Sequence, residues 1–471
     1  MPQDANISYL GTWTLPEGDL CNRGKFEILE YCYDDQDELF SDFIYIKSLY
    51  GLILPMIGQL LNEHHALSWS DRSFKVYYGM WLHDYLPVIR ERFRTIQIAL
   101  QGELPSTFIL TKNQFTVSDS HDFKEKINED EFNHYLYSKV IRFLDRQEYN
   151  NSYFVSKSSQ QDSKFKVIKR LVKDSLKVLL LKSMQILFNI VTASSKAAVD
   201  RSYFSKKDFK NLIVSSFPRI IPIIHFPTLR YASVTQDLAR RDKLQKKFVS
   251  LFSPKTDFET FLANTLIYDM PLSFVENFKD ILCESKYINL RDKHYLSSNA
   301  IFSNQILQCS VADQLLEESN LIIAQHGGSY GIVKWSMQQF YELDTADRYI
   351  SFGWESEEFN NTTTISHPKL LLKSRTDKLC ERRILYITSA PSRYFNRNWS
   401  SPIPGASMIE YYKNILALVN AIEAPLRRDL RVRIAPTSYS YKVGVDKYLG
   451  AGIRLSTGDF YKEVEAASVV I

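Results

Sequence analysis

Leu321-Ile-Ile-Ala-Gln-His-Gly-Gly-Ser-Tyr-Gly331 is the stretch of sequence that determines the fold class. Its apolar start, residues 321–324, has no polar alternation, which is typical of a strand in a parallel sheet covered on both faces. We call residues 325–331 the glycine elbow, because Gly327, Gly328 and Gly331 permit tight turns and close approach of a ligand. A helix predicted over 332–340 would point its N-terminal amides at an anion. The elbow therefore predicts a cradle for a phosphate or a sugar, or alternatively a tight strand–helix turn around a packed histidine.

Short strands and helices alternate after residue 302. Strands are predicted over 321–324, 383–388 and 430–435, and a helix over 407–422 lies between the last two. This alternation is typical of βαβ units and a parallel sheet. His326 follows a strand directly, and open α/β sheets bind their ligands at the carboxyl ends of their strands.

Two regions are predicted from the change of pattern along the chain. Residues 1–300 carry long helical patterns, which we interpret as insertions in an N-terminal α/β lobe on the acceptor side. Residues 301–471 are predicted to form a C-terminal Rossmann-like lobe on the donor side. The apolar residues 466–471 resemble the start of a buried strand, so this second lobe is expected to be incomplete.

Composition excludes several classes of protein. A formal net charge of +4 over 471 residues gives no electrostatic reason to expect nucleic acid as a partner. The five cysteines are scattered without metal-ligand spacing, which favours a reducing compartment and disfavours a structural zinc site. No leader pattern is visible at the N-terminus, and the expected location is the cytoplasm. The HExxH, Walker A and GxGxxG motifs are absent, so zinc proteases, P-loop enzymes and common dinucleotide enzymes lose support.

Acidic residues in two places could act in catalysis. Asp34 and Asp35 precede a long helical pattern, where carboxylates either cap the helix or serve as a base. Glu342 and the Phe352-Gly-Trp354 turn follow the elbow and would lie near it if the sheet is parallel. Glu342 could accept hydrogen bonds from a sugar, or lie at the surface as a solvated acid. No metal site is predicted from these acids.

Arginines near predicted strand ends could bind phosphate. Arg393 and Arg397 follow one strand, and Arg433 lies in another. A guanidinium group makes bidentate contacts to phosphate, although a surface ion pair is the alternative for each residue.

Residues 164–191 combine seven basic side chains with an apolar face. A basic amphipathic helix can lie on an anionic membrane surface, which would suit an enzyme with a lipid-linked acceptor. The alternative is the exposed face of a helix packed on the core.

Several motifs resemble a family of transferases encoded in bacterial O-antigen and other surface-polysaccharide regions. The motifs are Leu10-Gly-Thr-Trp13, Tyr31-Cys-Tyr-Asp-Asp35, Leu61-Asn-Glu-His64, Gly79-Met-Trp-Leu82, Gln325-His-Gly-Gly-Ser-Tyr-Gly331, Tyr341-Glu342, Asp347 and Phe352-Gly-Trp354. Cys32 and Tyr33 stand where the family usually has histidine and tryptophan. The resemblance implies a two-lobed α/β glycosyltransferase of the GT-B type that uses a nucleotide-activated sugar.

The sequence thus leads to a functional hypothesis and a rival. In the hypothesis, Asp34, Asp35 and His326 are catalytic, and the donor is bound by Gln325, Gly327, Gly328, Tyr330, Gly331, Glu342, Arg393 and Arg433. The substrates are a nucleotide-sugar and a glycan or lipid-linked glycan, with no further cofactor. The rival is a non-enzymatic relative that binds a glycan or a protein partner.

Overall fold

The structure is a computed structural model that describes most of the chain. It covers residues 7–14, 26–101, 109–144, 152–154, 183–200, 204–223, 234–315, 319–367, 381–389, 392–400, 408–435 and 454–471. Most of the predicted basic helix, residues 164–182, lies outside these ranges.

Helices dominate the first half of the described residues. They are α1 (Gln36–His65), α2 (Asp71–Tyr77), α3 (Gly79–Ala99), α4 (Ser120–Lys126), α5 (Asp130–Leu144), α6 (183–191), α7 (Lys206–Ser216), α8 (Leu238–Leu251), α9 (Asp257–Asp269), α10 (Leu272–Val275), α11 (Phe278–Ser285), α12 (Gln305–Gln314), α13 (Met337–Thr345), α14 (Met408–Ala421), α15 (Ala424–Arg427) and α16 (Phe460–Ala466).

Thirteen strands are formed by the described residues, and all of their pairings are parallel. They are β1 (Ile7–Tyr9), β2 (Phe26–Ile28), β3 (Ile109–Thr111), β4 (Ser152–Phe154), β5 (Ala197–Asp200), β6 (Ile220–Pro222), β7 (His294–Ser297), β8 (Leu321–Ala324), β9 (Arg348–Ser351), β10 (Thr362–Thr364), β11 (Glu381–Ile387), β12 (Leu430–Arg433) and β13 (Ala467–Val470). The predicted α/β class with parallel sheets is therefore confirmed.

The largest sheet has six strands in the order β10-β9-β8-β7-β5-β6. The predicted strand 321–324 is β8, which lies inside this sheet between β7 and β9, with Ile323 opposite both Ser297 and Tyr349. The predicted boundary at residues 300/301 falls between β7 and β8 in sequence. A boundary there would divide strands that are hydrogen bonded to each other.

A second sheet, of order β12-β11-β13, follows in the last part of the chain. β11, α14 and β12 form a βαβ unit, as the sequence predicts. The strand predicted at residues 466–471 is β13, but Val469 and Val470 are 49% and 45% exposed. The prediction of a buried strand was wrong, because β13 pairs with β11 at one edge of this sheet and both side chains remain in contact with solvent.

The long helices pack on one another and on α13. α1 packs against α3, and α13 packs against both α2 and α3. Within the described ranges, α1 is the one helix long and apolar enough to cross a membrane, and half of its most apolar window is buried inside the protein. These contacts bring α3 and α13 alongside the end of β8.

The helix after the elbow starts later than the sequence predicts. α13 begins at Met337 rather than at residue 332, and Ser336 caps it by accepting a hydrogen bond from the amide of Gln339 at 3.3 Å. The amide of Lys334 donates to the Ser400 hydroxyl at 2.6 Å, and that of Met337 to the Asn398 carbonyl at 3.0 Å. The prediction of a helix that starts at residue 332 was wrong, because residues 398–400 accept hydrogen bonds from the amides of Lys334 and Met337. These amides are therefore not available to an anion.

Candidate functional site

Gln325 fixes the shape of the glycine elbow. Its side-chain oxygen accepts hydrogen bonds from the Phe352 amide at 2.9 Å and from the Trp354 indole at 2.8 Å. Its side-chain nitrogen donates to the Gly327 carbonyl at 2.6 Å. The predicted proximity of the 352–354 turn to the elbow is therefore confirmed, and the buried Gln325 connects the two.

Two glycines of the elbow differ in their surroundings. Gly331 has a φ of +75°, and an added Cβ would lie 2.3 Å from the Trp354 ring, so glycine is required there. A Cβ at Gly328 would meet nothing within 4 Å. The elbow is thus open at Gly328 and tightly packed at its C-terminal end, Gly331, which we call its exit.

The backbone amides of residues 326–330 form most of the elbow. Among the described residues, none accepts a hydrogen bond from these five amides, whereas the next amide, of Gly331, donates to Gln339 at 2.9 Å. Successive unpaired amides are donors that proteins use to bind phosphate and other anions. This property makes the elbow suitable for a phosphate even without a helix N-terminus.

Glu342 lies beneath the elbow as a fully buried carboxylate with 0% exposure. It accepts hydrogen bonds from Tyr330 Oη at 2.6 Å, Gln338 Nε2 at 2.7 Å and Tyr349 Oη at 3.2 Å. Burial raises the pKa of Glu342 to about 7, although the three donors and the charge of Lys124 oppose the increase. A carboxyl group with this pKa exchanges protons near neutral pH, as a general base must.

His326 lies between Glu342 and solvent. Its Nε2 is 3.3 Å from Tyr330 Oη, and its buried Nδ1 is 3.6 Å from Glu342 Oε1. Burial, followed by the charges of Lys124 and Arg397, lowers the pKa of His326 to about 4. The imidazole is consequently neutral at physiological pH.

Two cations act on this cluster through their charge. Lys124 on α4 forms an ion pair with Asp84 at 3.1 Å and lowers the pKa values of both His326 and Glu342. Arg397 is exposed, lies over the Trp399 ring at 5.3 Å and lowers the pKa of His326. Burial raises the pKa of Tyr330, and the charge of Arg397 opposes that increase. The elbow therefore combines open amides with nearby positive charge.

A second histidine, on α3, reaches the same cluster from inside the protein. The Nε2 of His83 is 3.3 Å from Gln338 Oε1 and 3.2 Å from Asp84 Oδ1. Its Nδ1 is 2.7 Å from the Met80 carbonyl oxygen, and burial lowers the pKa of His83. Close contacts thus link His83 through Gln338 to Glu342.

Comparison with known protein families shows the family to which the chain belongs. The model of the LIC12162 family transferases matches residues 1–471, the whole chain. The chain belongs to this transferase family. No curated protein and no solved structure matches it.

Both arginines predicted to bind the donor in this transferase are paired elsewhere. Arg393 donates to Asp130 at 2.9 Å and to the Trp13 carbonyl at 2.8 Å. Arg433 donates to Glu463 at 2.5 Å and to the Gly458 carbonyl at 2.7 Å, next to the three-stranded sheet. These contacts give no support to a donor-binding role. Each arginine instead forms an ion pair, which is the alternative that the sequence left open.

Asp34 and Asp35 lie at the start of α1. Asp35 caps the helix by accepting a hydrogen bond from the Asp37 amide at 2.8 Å, and the exposed Asp34 accepts one from the Tyr31 amide at 3.4 Å. Within the described ranges, no hydrogen bond or ion pair joins either carboxylate to the elbow. The first turns of α1 nevertheless approach its exit, since the rings of Phe40 and Trp335 lie 4.9 Å apart.

Other residues of the site were missed at the level of sequence. His83 directly follows the Gly79–Leu82 motif, and Gln338 precedes Glu342 by one helical turn, so both carried a local signal. Lys124 and Tyr349 had none, because tertiary packing alone brings α4 and β9 to the elbow. Among the described residues, no group of three or more His, Cys, Asp or Glu side chains could hold a metal ion.

Proposed function

We propose that this transferase moves a sugar from a nucleotide-activated donor to a surface-polysaccharide acceptor of the O-antigen type. The observation that carries the proposal is the set of open amides at residues 326–330, next to two cations and a histidine linked to a buried carboxylate. The motif resemblance supports the class of acceptor. The separation of the six-stranded sheet from the three-stranded sheet supports a GT-B arrangement of two α/β lobes.

In the proposed reaction, the bond between the anomeric carbon and the donor's phosphate oxygen breaks, and its electron pair leaves with the nucleotide. An acceptor hydroxyl oxygen bonds to the anomeric carbon, and its proton passes to a base. The elbow amides, Lys124 and Arg397 would stabilise the charge that develops on the leaving phosphate. Because these groups supply positive charge, the proposal includes neither a metal nor a further cofactor.

Nucleotide binding tests the donor site. We expect nucleoside mono- or diphosphates to raise the melting temperature in proportion to the logarithm of their concentration above Kd. Lys124→Ala and Arg397→Ala should each reduce this increase. Arg240→Ala should not, because Arg240 lies on α8 and pairs with Asp237 at the start of that helix. If no nucleotide has an effect, the donor proposal fails and the non-enzymatic binding function is favoured.

The identity of the base is tested by a second set of variants. His326 and the pair Asp34 and Asp35 are the candidates, and a positioned general base contributes on the order of 10² to 10⁴ in rate. If an aspartate is the base, the double variant Asp34→Asn, Asp35→Asn should lose turnover by that factor. If His326 is the base, His326→Gln should lose it instead, and the double variant should keep turnover within about tenfold of the wild type.

We also propose that residues 164–191 contact an anionic membrane surface on the cytoplasmic side. The described part of this segment, α6, exposes Met184, Ile186, Leu187, Ile190 and Val191. Flotation with vesicles containing anionic lipid should retain the wild-type protein, and Leu187→Glu with Ile190→Glu should reduce retention. Equal flotation of both proteins would contradict the proposal.

A further inference from the structure

A continuous hydrogen-bonded route leads from His326, whose side chain is 23% exposed, to the buried Glu342. His326 Nε2 lies 3.3 Å from Tyr330 Oη, and that hydroxyl lies 2.6 Å from Glu342 Oε1. Building on the proposed function, we propose that Glu342 is the final acceptor of the substrate proton, which reaches it from His326 through the Tyr330 hydroxyl. We call these three side chains the proton route.

The transfer along this route conserves atoms and charge. The acceptor O–H bond breaks and its proton binds Nε2 of His326, whose Nδ1 keeps its own proton, forming an imidazolium. The Nε2–H bond then breaks as Tyr330 Oη takes that proton, while the proton that Tyr330 held forms an O–H bond to Glu342 Oε1. Tyr330 ends as it began, His326 is neutral again, and the anionic Glu342 has become a carboxylic acid.

The relative basicity of the two end groups supports this direction. Burial and the charges of Lys124 and Arg397 lower the pKa of His326 to about 4, so an imidazolium there is a strong acid at neutral pH. Burial raises the pKa of Glu342 to about 7. A proton on His326 therefore moves to the carboxylate with a favourable equilibrium constant of roughly 10³. Without Glu342 as acceptor, His326 would not keep a second ring proton at pH 7.

Groups on four elements face the carboxylate and define its affinity for protons. They are Tyr330 and His326 from the elbow, Gln338 and Tyr341 from α13, Tyr349 from β9 and Lys124 from α4. Tyr349 and Gln338 are positioning residues, because they donate to the carboxylate without contacting His326. His83 and the adjacent Asp84 lie behind Gln338.

Tyr349 provides a matched control for Tyr330. Both hydroxyls donate to Glu342, but Tyr330 alone of the two also contacts His326. Tyr330→Phe therefore interrupts the route, whereas Tyr349→Phe removes a donor and leaves the route intact. Losing a donor to an anion raises the pKa of the carboxyl group.

The first experiment needs no substrate. The nine histidines are labelled with ¹⁵N, and the His326 signals are assigned from their loss in His326→Gln. In the wild type we expect the His326 Nε2 shift to change with a midpoint near pH 7, where Glu342 titrates. The change should vanish in Glu342→Gln and Tyr330→Phe, and persist in Tyr349→Phe with its midpoint raised by about one pH unit.

An Nε2 titration that is unchanged in Tyr330→Phe would overturn the route, because the charge of Glu342 would then act directly across the 3.6 Å gap to Nδ1. The absence of a midpoint near pH 7 in the wild type would overturn the role of Glu342. Loss of folding in Tyr330→Phe would be visible in the other histidine signals, and Glu342→Gln would then serve as the test.

The second experiment measures turnover against pH. Activity should rise with a midpoint near pH 7 in the wild type, move to higher pH in Tyr349→Phe, and lose this midpoint in Glu342→Gln. If no nucleotide-sugar is a substrate although the histidine titration behaves as expected, the proposed function fails and the coupling of His326 to Glu342 stands. If turnover is observed and its pH profile is the same in Glu342→Gln, the proton route fails and the proposed function stands.

Discussion

Glu342 shows how much a single buried carboxylate can determine at the level of the residue. Three donors and the nearby Lys124 stabilise its anion, and burial still raises its pKa to about 7. The cost of removing the carboxylate from water therefore exceeds what its partners return. The folded protein therefore binds a proton at Glu342 more tightly than the unfolded chain does.

Glu342→Gln should change how stability depends on pH. Because the folded-state pKa of Glu342 is raised from 4.5 to about 7, its contribution to stability is fully present below pH 4.5 and is lost as pH rises through 7. Relative to the wild type, the variant should gain about 3 kcal/mol in unfolding free energy between these pH values. Urea unfolding at several pH values measures this, and parallel curves for the two proteins would show that Glu342 titrates normally.

Gly331→Ala should destabilise the protein, whereas Gly328→Ala should leave its stability almost unchanged. A side chain at Gly331 meets a positive φ and the Trp354 ring, so a loss of about 2–4 kcal/mol in stability is expected. Gly328→Ala adds a methyl group to open space, and we expect a change within about 0.5 kcal/mol. Thermal unfolding of the pair checks this, and equal losses would mean that the elbow is packed differently.

At the level of elements, the acidic group before α1 has a structural explanation. Asp35 supplies the helix cap, while Asp34 remains exposed. Acidic side chains at a helix N-terminus also interact favourably with the helix dipole. The cap explains why an aspartate suits position 35, and it leaves the charge of Asp34 available for other roles.

Asp35→Ala should cost about 1 kcal/mol, because the amide of Asp37 loses its acceptor. Asp35→Asn should retain the cap and most of the stability, since asparagine caps as well as aspartate. Asp34→Ala is the matched control and should have a smaller effect than Asp35→Ala. Chemical unfolding of the three variants compares them, and a larger loss in Asp34→Ala would contradict the assigned cap.

At the level of the whole molecule, residues 392–400 connect elements that are distant in sequence. Asn398 accepts a hydrogen bond from the Trp335 indole at 2.9 Å and donates to the Leu39 carbonyl at 3.3 Å. The Phe395 carbonyl accepts one from the buried Arg92 on α3 at 3.0 Å. This segment thus joins the exit of the elbow to α1 and α3.

Asn398→Ala should destabilise the protein by about 2 kcal/mol, because the buried indole of Trp335 loses its acceptor. Hydrogen exchange of the Gly331 amide, which donates to Gln339, should accelerate, since this end of the elbow would be less firmly held. Asn360→Ala, at an exposed position, is the control. Unchanged exchange in Asn398→Ala would indicate that the elbow is held by Gln325 alone.

Local patterns in the amino-acid sequence predict the parallel α/β class, the strand at β8, the turn around His326 and the proximity of Phe352 and Trp354 to that turn. Each follows from local pattern: apolar runs form buried strands, and glycines permit the turn that Gly331 makes. Tertiary structure alone decided that the predicted helix starts at Met337, that Arg393 and Arg433 pair with Asp130 and Glu463, and that Lys124 and Tyr349 reach the elbow. Partners far apart in the chain compete for the same amides and charges, and that competition depends on distances that a linear pattern does not contain. For the same reason, the burial that raises the pKa of Glu342 belongs to the fold and not to the residue.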